Sequence, residues 1–184
     1  MIIRRIVPAA LAIGLLFPTV AHAQRRQPAE DSLAVGGAAG VFFPADSQLD
    51  TAPYLEGQVA FYFTPRVALR FGVGWTNPGF DRERDDSLRQ FRLGADVLYN
   101  WEHGTWHPYV GAGFAAHILQ LKDNGRDIGD GESKPGGALL GGIEYFFTRT
   151  ATLTGEARYQ FVGDTRNGLS PSGFLLAAGV KQYF

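Results

Sequence analysis

The stretch that decides the fold is Phe91-Arg92-Leu93-Gly94-Ala95-Asp96-Val97-Leu98-Tyr99-Asn100-Trp101. Its odd-numbered positions carry apolar and aromatic side chains, whereas Arg92, Asp96 and Asn100 stand at even-numbered positions. Successive side chains of a β-strand point to opposite faces of the sheet. The alternation therefore predicts a strand with one apolar face and one polar face.

The same alternation recurs along the chain. Three further segments show it clearly: Leu55–Phe63, Arg66–Trp75 and Leu153–Phe161. Four more have bulky apolar residues at one parity and mainly Gly, Ala or an isolated polar residue at the other: Leu33–Phe43, Tyr109–Ile118, Gly137–Phe147 and Ser172–Phe184. Each segment is long enough for a tilted membrane strand, which needs about 9 to 11 residues. Eight such strands predict a closed antiparallel barrel with both chain ends on one side.

The connections between these segments alternate in length. Three are short: Thr64–Arg66, Glu102–Trp106 and Thr148–Thr150. Four are longer and polar: Pro44–Pro53, Asn77–Ser87, Lys122–Lys134 and Gly163–Ser170. Short turns at one end and long loops at the other are typical of outer-membrane barrels.

Aromatic residues cluster beside the short turns and are expected to form the periplasmic girdle of such a barrel. The cluster comprises Phe61–Phe63, Tyr99, Trp101, Trp106, Tyr145–Phe147 and Tyr183–Phe184. Phe43, Trp75 and Phe80 are expected near the opposite, outer girdle.

Composition excludes several other classes of protein. The chain has 24 glycines in 184 residues, about twice the usual share, and 13% aromatics, which favours strands and tight turns. A net charge of −1 gives no basic field for nucleic acid. The absence of Cys excludes disulfides, thiolate metal sites, thiol catalysis and a lipoprotein anchor. A mean hydropathy of −0.08 is too low for a bundle of membrane helices.

The N-terminus has the pattern of an export signal. Arg4 and Arg5 precede the apolar run Ile6–Phe17, and Ala21-His22-Ala23 is a small-x-small cleavage site. The alternative, a membrane anchor helix, would need about 20 apolar residues. We therefore predict a signal peptide over residues 1–23, a short periplasmic segment over 24–32 and an outer-membrane barrel over 33–184.

The bulk of the apolar residues decides which face of the barrel points outwards. The alternative is a soluble ligand-binding barrel with its apolar face inside. Eight strands leave an interior that holds only side chains or one small ligand. Almost every segment carries Phe, Tyr, Trp or Leu at its apolar parity, which is too bulky for that space. The sequence predicts an all-β, eight-stranded, antiparallel, transmembrane up-and-down β-barrel.

The residues at the polar parity are then expected to line the lumen. It carries four acids and four bases: Glu56, Asp96, Glu144 and Glu156 with Arg70, Arg92, Arg158 and Lys181. Unpaired charges in a narrow lumen would cost several kcal/mol each, so an ion-pair network that plugs the barrel is expected. A gate whose ion pairs exchange partners to pass small ions is the alternative. Further polar residues are expected to complete the network: Gln58, Asn100, Tyr109, His117 and Gln160.

The remaining polar residues offer few candidates for a catalytic or metal site. An esterase needs Ser, His and a carboxylate within hydrogen-bond reach. His103 and His107 flank a predicted turn, and no Ser lies within two residues of His117. Asp123–Glu132 is rich in acids but lacks the ligand spacing of an EF-hand, so a flexible polar loop is expected. We expect no enzyme activity, no metal site and no cofactor, with a lipid A-modifying enzyme as an alternative.

The chain ends in Gly179-Val180-Lys181-Gln182-Tyr183-Phe184. With the export signal and eight strands, it resembles the OmpA/OmpX-type outer-membrane β-barrel domain family over residues 33–184. The resemblance implies that Val180, Tyr183 and Phe184 form the signal presented to the barrel assembly machinery. Gln182 stands where an apolar residue would be usual. No peptidoglycan-binding domain is expected after Phe184, and the barrel is expected to be the whole mature protein.

The expected function follows from this architecture. We expect a monomer in the outer membrane with a structural, envelope-stabilising or surface-interaction role. A narrow channel for ions or small solutes is a second alternative. The expected partners are outer-membrane lipid and lipopolysaccharide, with periplasmic chaperones and the assembly machinery during biogenesis. Nucleic acid is not expected as a partner. The loops are expected outside the cell and both termini in the periplasm.

Overall fold

A computed structural model describes residues 28–80, 83–101, 104–123, 126–127, 131–166 and 168–184. The predicted signal peptide with its cleavage residues Ala21 and Ala23, and His103, lie outside these residues. Eight long strands are present: β1 Leu33–Pro44, β2 Ala52–Tyr62, β3 Val67–Thr76, β4 Glu83–Asn100, β5 Trp106–Asp123, β6 Glu132–Phe146, β7 Ala151–Val162 and β8 Gly173–Tyr183. Among the described residues, no helix is long and apolar enough to cross a membrane.

The eight strands form one closed sheet. Each strand pairs antiparallel with the next, and β1 pairs with β8 from Ala34 opposite Tyr183 to Pro44 opposite Gly173. The predicted eight-stranded antiparallel up-and-down barrel is therefore confirmed. Closure leaves none of these strands with an unpaired edge, the feature on which sheets otherwise aggregate.

Two of the short turns are held by threonine. The Thr64 hydroxyl accepts hydrogen bonds from the backbone N–H groups of Arg66 (3.2 Å) and Val67 (3.0 Å). Thr148 accepts the equivalent bonds from Thr150 (3.3 Å) and Ala151 (2.8 Å). The same local chemistry thus closes the β2–β3 and β6–β7 hairpins at one end of the barrel, here named the turn end. The opposite end is named the loop end.

Two of the predicted long loops are partly strand. Residues predicted as loop in Asn77–Ser87 and Lys122–Lys134 extend β4, β5 and β6, and Ser87 pairs with Lys122 well beyond the apolar segments. Short two-residue strands, Gly79–Phe80 and Arg126–Asp127, lie beside them. Backbone pairing continues in water, where neither face has to be apolar. The hydrophobic alternation therefore disappears before the strand ends.

Burial is inverted relative to a water-soluble protein. On β4, Leu93 and Val97 are 49% and 58% exposed, whereas Asp96 between them is 0% exposed. An apolar outer surface around a polar interior is the arrangement that a hydrocarbon solvent requires.

The aromatic girdle is only partly as predicted. Most of its members are exposed at the turn end: Phe61, Phe63, Tyr99, Trp101, Trp106, Tyr145, Phe147 and Phe184. Tyr62 and Tyr183 are instead buried inside the barrel, and Phe146 packs against them. Strand parity is the reason, because Tyr62, Phe146 and Tyr183 stand at inward-facing positions of their strands and the adjacent residues point outwards.

The predicted outer girdle also needs correction. Phe43 is exposed and Trp75 is half-buried. Phe80 packs against Leu49, Leu88 and Leu119, so it belongs to an apolar cluster at the loop end.

Candidate functional site

Six charged side chains meet in the middle of the barrel. Three arginines and three carboxylates form this central cluster: Glu56 on β2, Arg70 on β3, Arg92 and Asp96 on β4, and Glu156 and Arg158 on β7. All six side chains are at most 9% exposed. Their formal charges cancel.

Arg70 on β3 contacts residues of three other strands. Its Nη2 lies 2.8 Å from Asp96 Oδ2, and its Nη1 lies 2.5 Å from Glu156 Oε2. Nη1 also donates a hydrogen bond to Gln58 Oε1 at 3.2 Å. The guanidinium thus bridges β3 to β4 beside it and to β7 on the far side of the lumen.

Arg158 makes the second crossing. Its Nη1 and Nη2 donate to the two carboxylate oxygens of Glu56, at 2.7 and 3.0 Å. Nε and Nη2 also donate to Glu156 Oε1, at 3.0 and 2.7 Å. Tyr54 donates its hydroxyl hydrogen to Glu56 and accepts from Arg158 Nη1 at 3.3 Å. A two-pronged ion pair therefore spans the barrel from β7 to β2.

Arg92 is held less completely. Its Nη2 donates to Asp96 Oδ1 at 2.7 Å, while Nη1 lies 3.6 Å from Glu56 Oε2. Among the described residues, nothing accepts a hydrogen bond from its Nε or Nη1. Arg92 is therefore the least constrained cation of the central cluster.

The other two predicted charges lie in a separate turn-end cluster. Lys181 Nζ is 2.5 Å from Glu144 Oε1, and Tyr183 donates its hydroxyl hydrogen to the same carboxylate. The Tyr183 hydroxyl is also 2.9 Å from the Tyr62 hydroxyl. The structure thus divides the eight predicted residues between two clusters rather than one network. The stagger of the strands sets this division, and it cannot be obtained from residue parity.

Tyr109 joins the two clusters. Its hydroxyl donates to Glu156 at 2.8 Å, and its ring lies 5.3 Å from Lys181 Nζ. A cation held over an aromatic face is stabilised by the ring quadrupole. Tyr109 thus extends the buried polar contacts from the central cluster towards the turn end.

The remaining predicted interior residues are all buried. Gln58 contacts the central cluster through Arg70. Asn100 instead donates to the Arg66 carbonyl at 3.4 Å, and a nitrogen of the His117 ring lies 2.6 Å from Gln90 Nε2. Tyr54 and Gln90 were not predicted as interior contacts. Their parity, shared with Glu56 and Arg92, was the signal that could have identified them.

Interior glycines make room for the large polar side chains. A Cβ atom built on Gly74 would lie 2.2 Å from the Tyr54 hydroxyl, and one on Gly94 would lie 2.4 Å from Arg92 Cζ. One on Gly142 would lie 2.5 Å from both the Tyr109 hydroxyl and the Gly155 carbonyl oxygen. These three interior glycines therefore have a packing explanation, because bulky side chains occupy the space that a Cβ atom would need.

Apolar clusters lie on both sides of the charged residues. At the loop end, Leu49, Leu88 and Leu119 are buried together. At the turn end, Leu98 and Leu140 pack with inward alanines and tyrosines. A cavity bordered by Tyr54, Glu56, Glu156 and Arg158 measures about 10 Å³, which is space for about one water molecule. At the level of the central cluster, the side chains therefore leave little open volume.

The described histidines do not form a catalytic arrangement. His107, which was predicted to flank a turn, is buried against Phe146, with ring centroids 4.7 Å apart, and its Nε2 lies 3.2 Å from the Gly104 carbonyl oxygen. Its inward parity on β5, shared with Tyr109, is the reason.

Within the part of the chain that the structure describes, no group of three or more His, Asp or Glu residues is placed to hold a metal ion.

Comparison with known proteins identifies the family. Residues 9–181 match the family described as "Outer membrane protein beta-barrel domain". No curated protein sequence matches the chain.

Several solved structures share the fold. Neisserial surface protein A is 20% identical with a TM-score of 0.69, covering 86% of this chain and 100% of its own. OprG from Pseudomonas aeruginosa is 15% identical with a TM-score of 0.65, covering 85% and 96%. The N-terminal barrel of Pseudomonas aeruginosa OprF is 16% identical with a TM-score of 0.63, covering 84% and 98%.

These solved structures agree with the closed barrel described above, and the family match covers most of the sequence. The chain belongs to the outer membrane protein beta-barrel domain family, as its resemblance to the OmpA/OmpX-type barrels indicated.

Proposed function

We propose that this protein has a structural, envelope-stabilising or surface-interaction role in the outer membrane, and that its lumen is closed. The observation that carries the proposal is the central cluster, in which Arg70 and Arg158 reach carboxylates across the lumen. Breaking one such buried pair by removing a partner costs about 3–5 kcal/mol. A permeating ion would have to separate these pairs repeatedly.

The alternatives find less support in the interior. A channel would also require the apolar side chains of Leu49, Leu88 and Leu119 to leave the loop end of the lumen. An enzyme of the acyl-transfer type would require a nucleophile beside a histidine. The hydrogen-bonded contacts of the described histidine rings are to Gln90 and to the Gly104 carbonyl.

The outer surface suits the proposed lipid partners. Near the loop end, the exposed apolar side chains of Phe91 and Ile118 lie opposite one another on β4 and β5, where they are suited to contact lipid. We propose that the loop end faces outwards, that the termini are periplasmic and that the closed barrel is a monomer.

A complementation experiment tests the role. A strain lacking the gene is compared with the wild type for sensitivity to detergent and for uptake of small solutes. We expect increased detergent sensitivity that the wild-type gene restores, with unchanged uptake. Normal detergent resistance combined with lost uptake of a solute would show a transport function instead.

A further inference from the structure

The seam between β1 and β8 is where the barrel closes. Strand β1 contributes almost no interior side-chain contact along most of this seam, because its inward positions from residue 34 to residue 40 are Ala34, Gly36, Ala38 and Gly40. Across the seam, Gly179 and Ala177 are equally small. Over this stretch the backbone ladder therefore receives little help from side chains of β1.

Two residues of the last strand are exceptions. Lys181 and Tyr183 point into the barrel and are almost completely buried. Lys181 lies opposite Gly36, where a Cβ atom would approach its Cγ to 2.7 Å. Tyr183 lies opposite Ala34. The small residues of β1 thus leave the space that these two side chains occupy.

The contacts of Tyr183 reach over the seam in both directions. Across β1, its hydroxyl meets that of Tyr62 on β2 at 2.9 Å, with the two ring centroids 5.6 Å apart. In the other direction, it donates to Glu144 on β6, and its ring lies 5.3 Å from that of Phe146. Lys181 adds an ion pair to the same carboxylate at 2.5 Å.

We propose that Lys181 and Tyr183 form an internal latch that keeps the barrel closed at its seam. The latch ties β8 to β2 on one side and to β6 on the other, so β1 is held between strands that are themselves connected. Hydrogen bonds to a charged group contribute more than neutral ones, and leaving a buried carboxylate short of a donor is costly.

The side chains at the end of β8 point in two directions and have different roles. Val180 and Phe184 point outwards and are exposed, whereas Tyr183, between them in sequence, points inwards. Of the three residues predicted to form the assembly signal, Tyr183 thus serves closure of the finished barrel. The side chains of Val180 and Phe184 lie on the outer surface of the barrel.

Amide hydrogen exchange on the full chain, refolded in lipid nanodiscs, tests the latch. Tyr183→Phe removes one hydroxyl and keeps the ring. We expect exchange in β1 and β8 near the turn end to rise on the order of tenfold to a hundredfold, with β4 and β5 unchanged. Tyr62→Phe should act in the same direction, because it removes the partner hydroxyl.

Two control variants separate the latch from general destabilisation. Tyr54→Phe makes the same chemical change in the central cluster, and Val180→Ala shortens an outward side chain of β8. Neither should raise exchange preferentially at the seam. Equal rates in wild type and Tyr183→Phe, or an equal rise in all eight strands, would overturn the proposal.

Discussion

Replacing Arg158 by methionine removes the charge that joins two carboxylates while keeping most of the side-chain volume. Arg158 makes two hydrogen bonds to Glu56 and two to Glu156. Glu156 would keep its contacts with Arg70 and Tyr109. Glu56 would keep only its contacts with Tyr54 and the more distant Arg92. The central cluster would then carry a net charge of −1. We expect the free energy of unfolding to fall by about 3–5 kcal/mol.

Reversible denaturant unfolding in lipid vesicles, followed by tryptophan fluorescence, measures this loss. The matched control is Arg166→Met, because Arg166 pairs with Glu132 at 3.8 Å but its side chain is 81% exposed. Such a surface pair contributes about 0–1 kcal/mol. Adding Glu56→Gln to Arg158→Met should recover part of the loss, since the uncompensated charge is then gone. Equal effects of the two single variants would refute a buried, mutually dependent cluster.

The other predictions concern packing, the lipid face and topology. Gly142→Ala should lower the unfolding free energy by about 1–3 kcal/mol in the same assay, because its Cβ would meet backbone as well as Tyr109, whereas Gly57→Ala, with nothing within 4 Å, should be close to neutral. Leu93→Arg should cost about 2–4 kcal/mol if this exposed position lies near the bilayer midplane, and an unchanged stability would contradict a lipid-facing surface. A peptide tag inserted at Gly168 should be labelled on intact cells and one at Gly104 should not, so labelling at Gly104 would reverse the proposed orientation.

The sequence was sufficient for the architecture because one physical rule governs every strand. A barrel in hydrocarbon must place apolar residues at every second position, and this periodicity survives in β4 and β7 without any knowledge of their partners. The turns at Thr64 and Thr148 could also be predicted from the local sequence. The ends of β4, β5 and β6 could not be predicted, since backbone pairing outside the membrane leaves no hydrophobic pattern.

The interior was predictable as a list of residues but not as a set of contacts. Parity placed Arg70 and Glu156 on the inner face, 86 positions apart in the chain. Their contact depends on barrel stagger and on the absence of large side chains between them. At Tyr62 and Tyr183, the residue type indicated the girdle, whereas strand parity indicated the lumen. Both side chains lie in the lumen, because the backbone imposes the alternation of inward and outward positions.

The central claim, that ion pairs close the lumen, is tested most directly by single-channel recording of the refolded wild-type protein in planar bilayers. The closed interior predicts no steady conductance above the bilayer background, and Arg158→Met is expected to raise it by disrupting the central cluster. Steady, large conductance of the wild type, with Arg158→Met altering ion selectivity but hardly the stability, would contradict the claim.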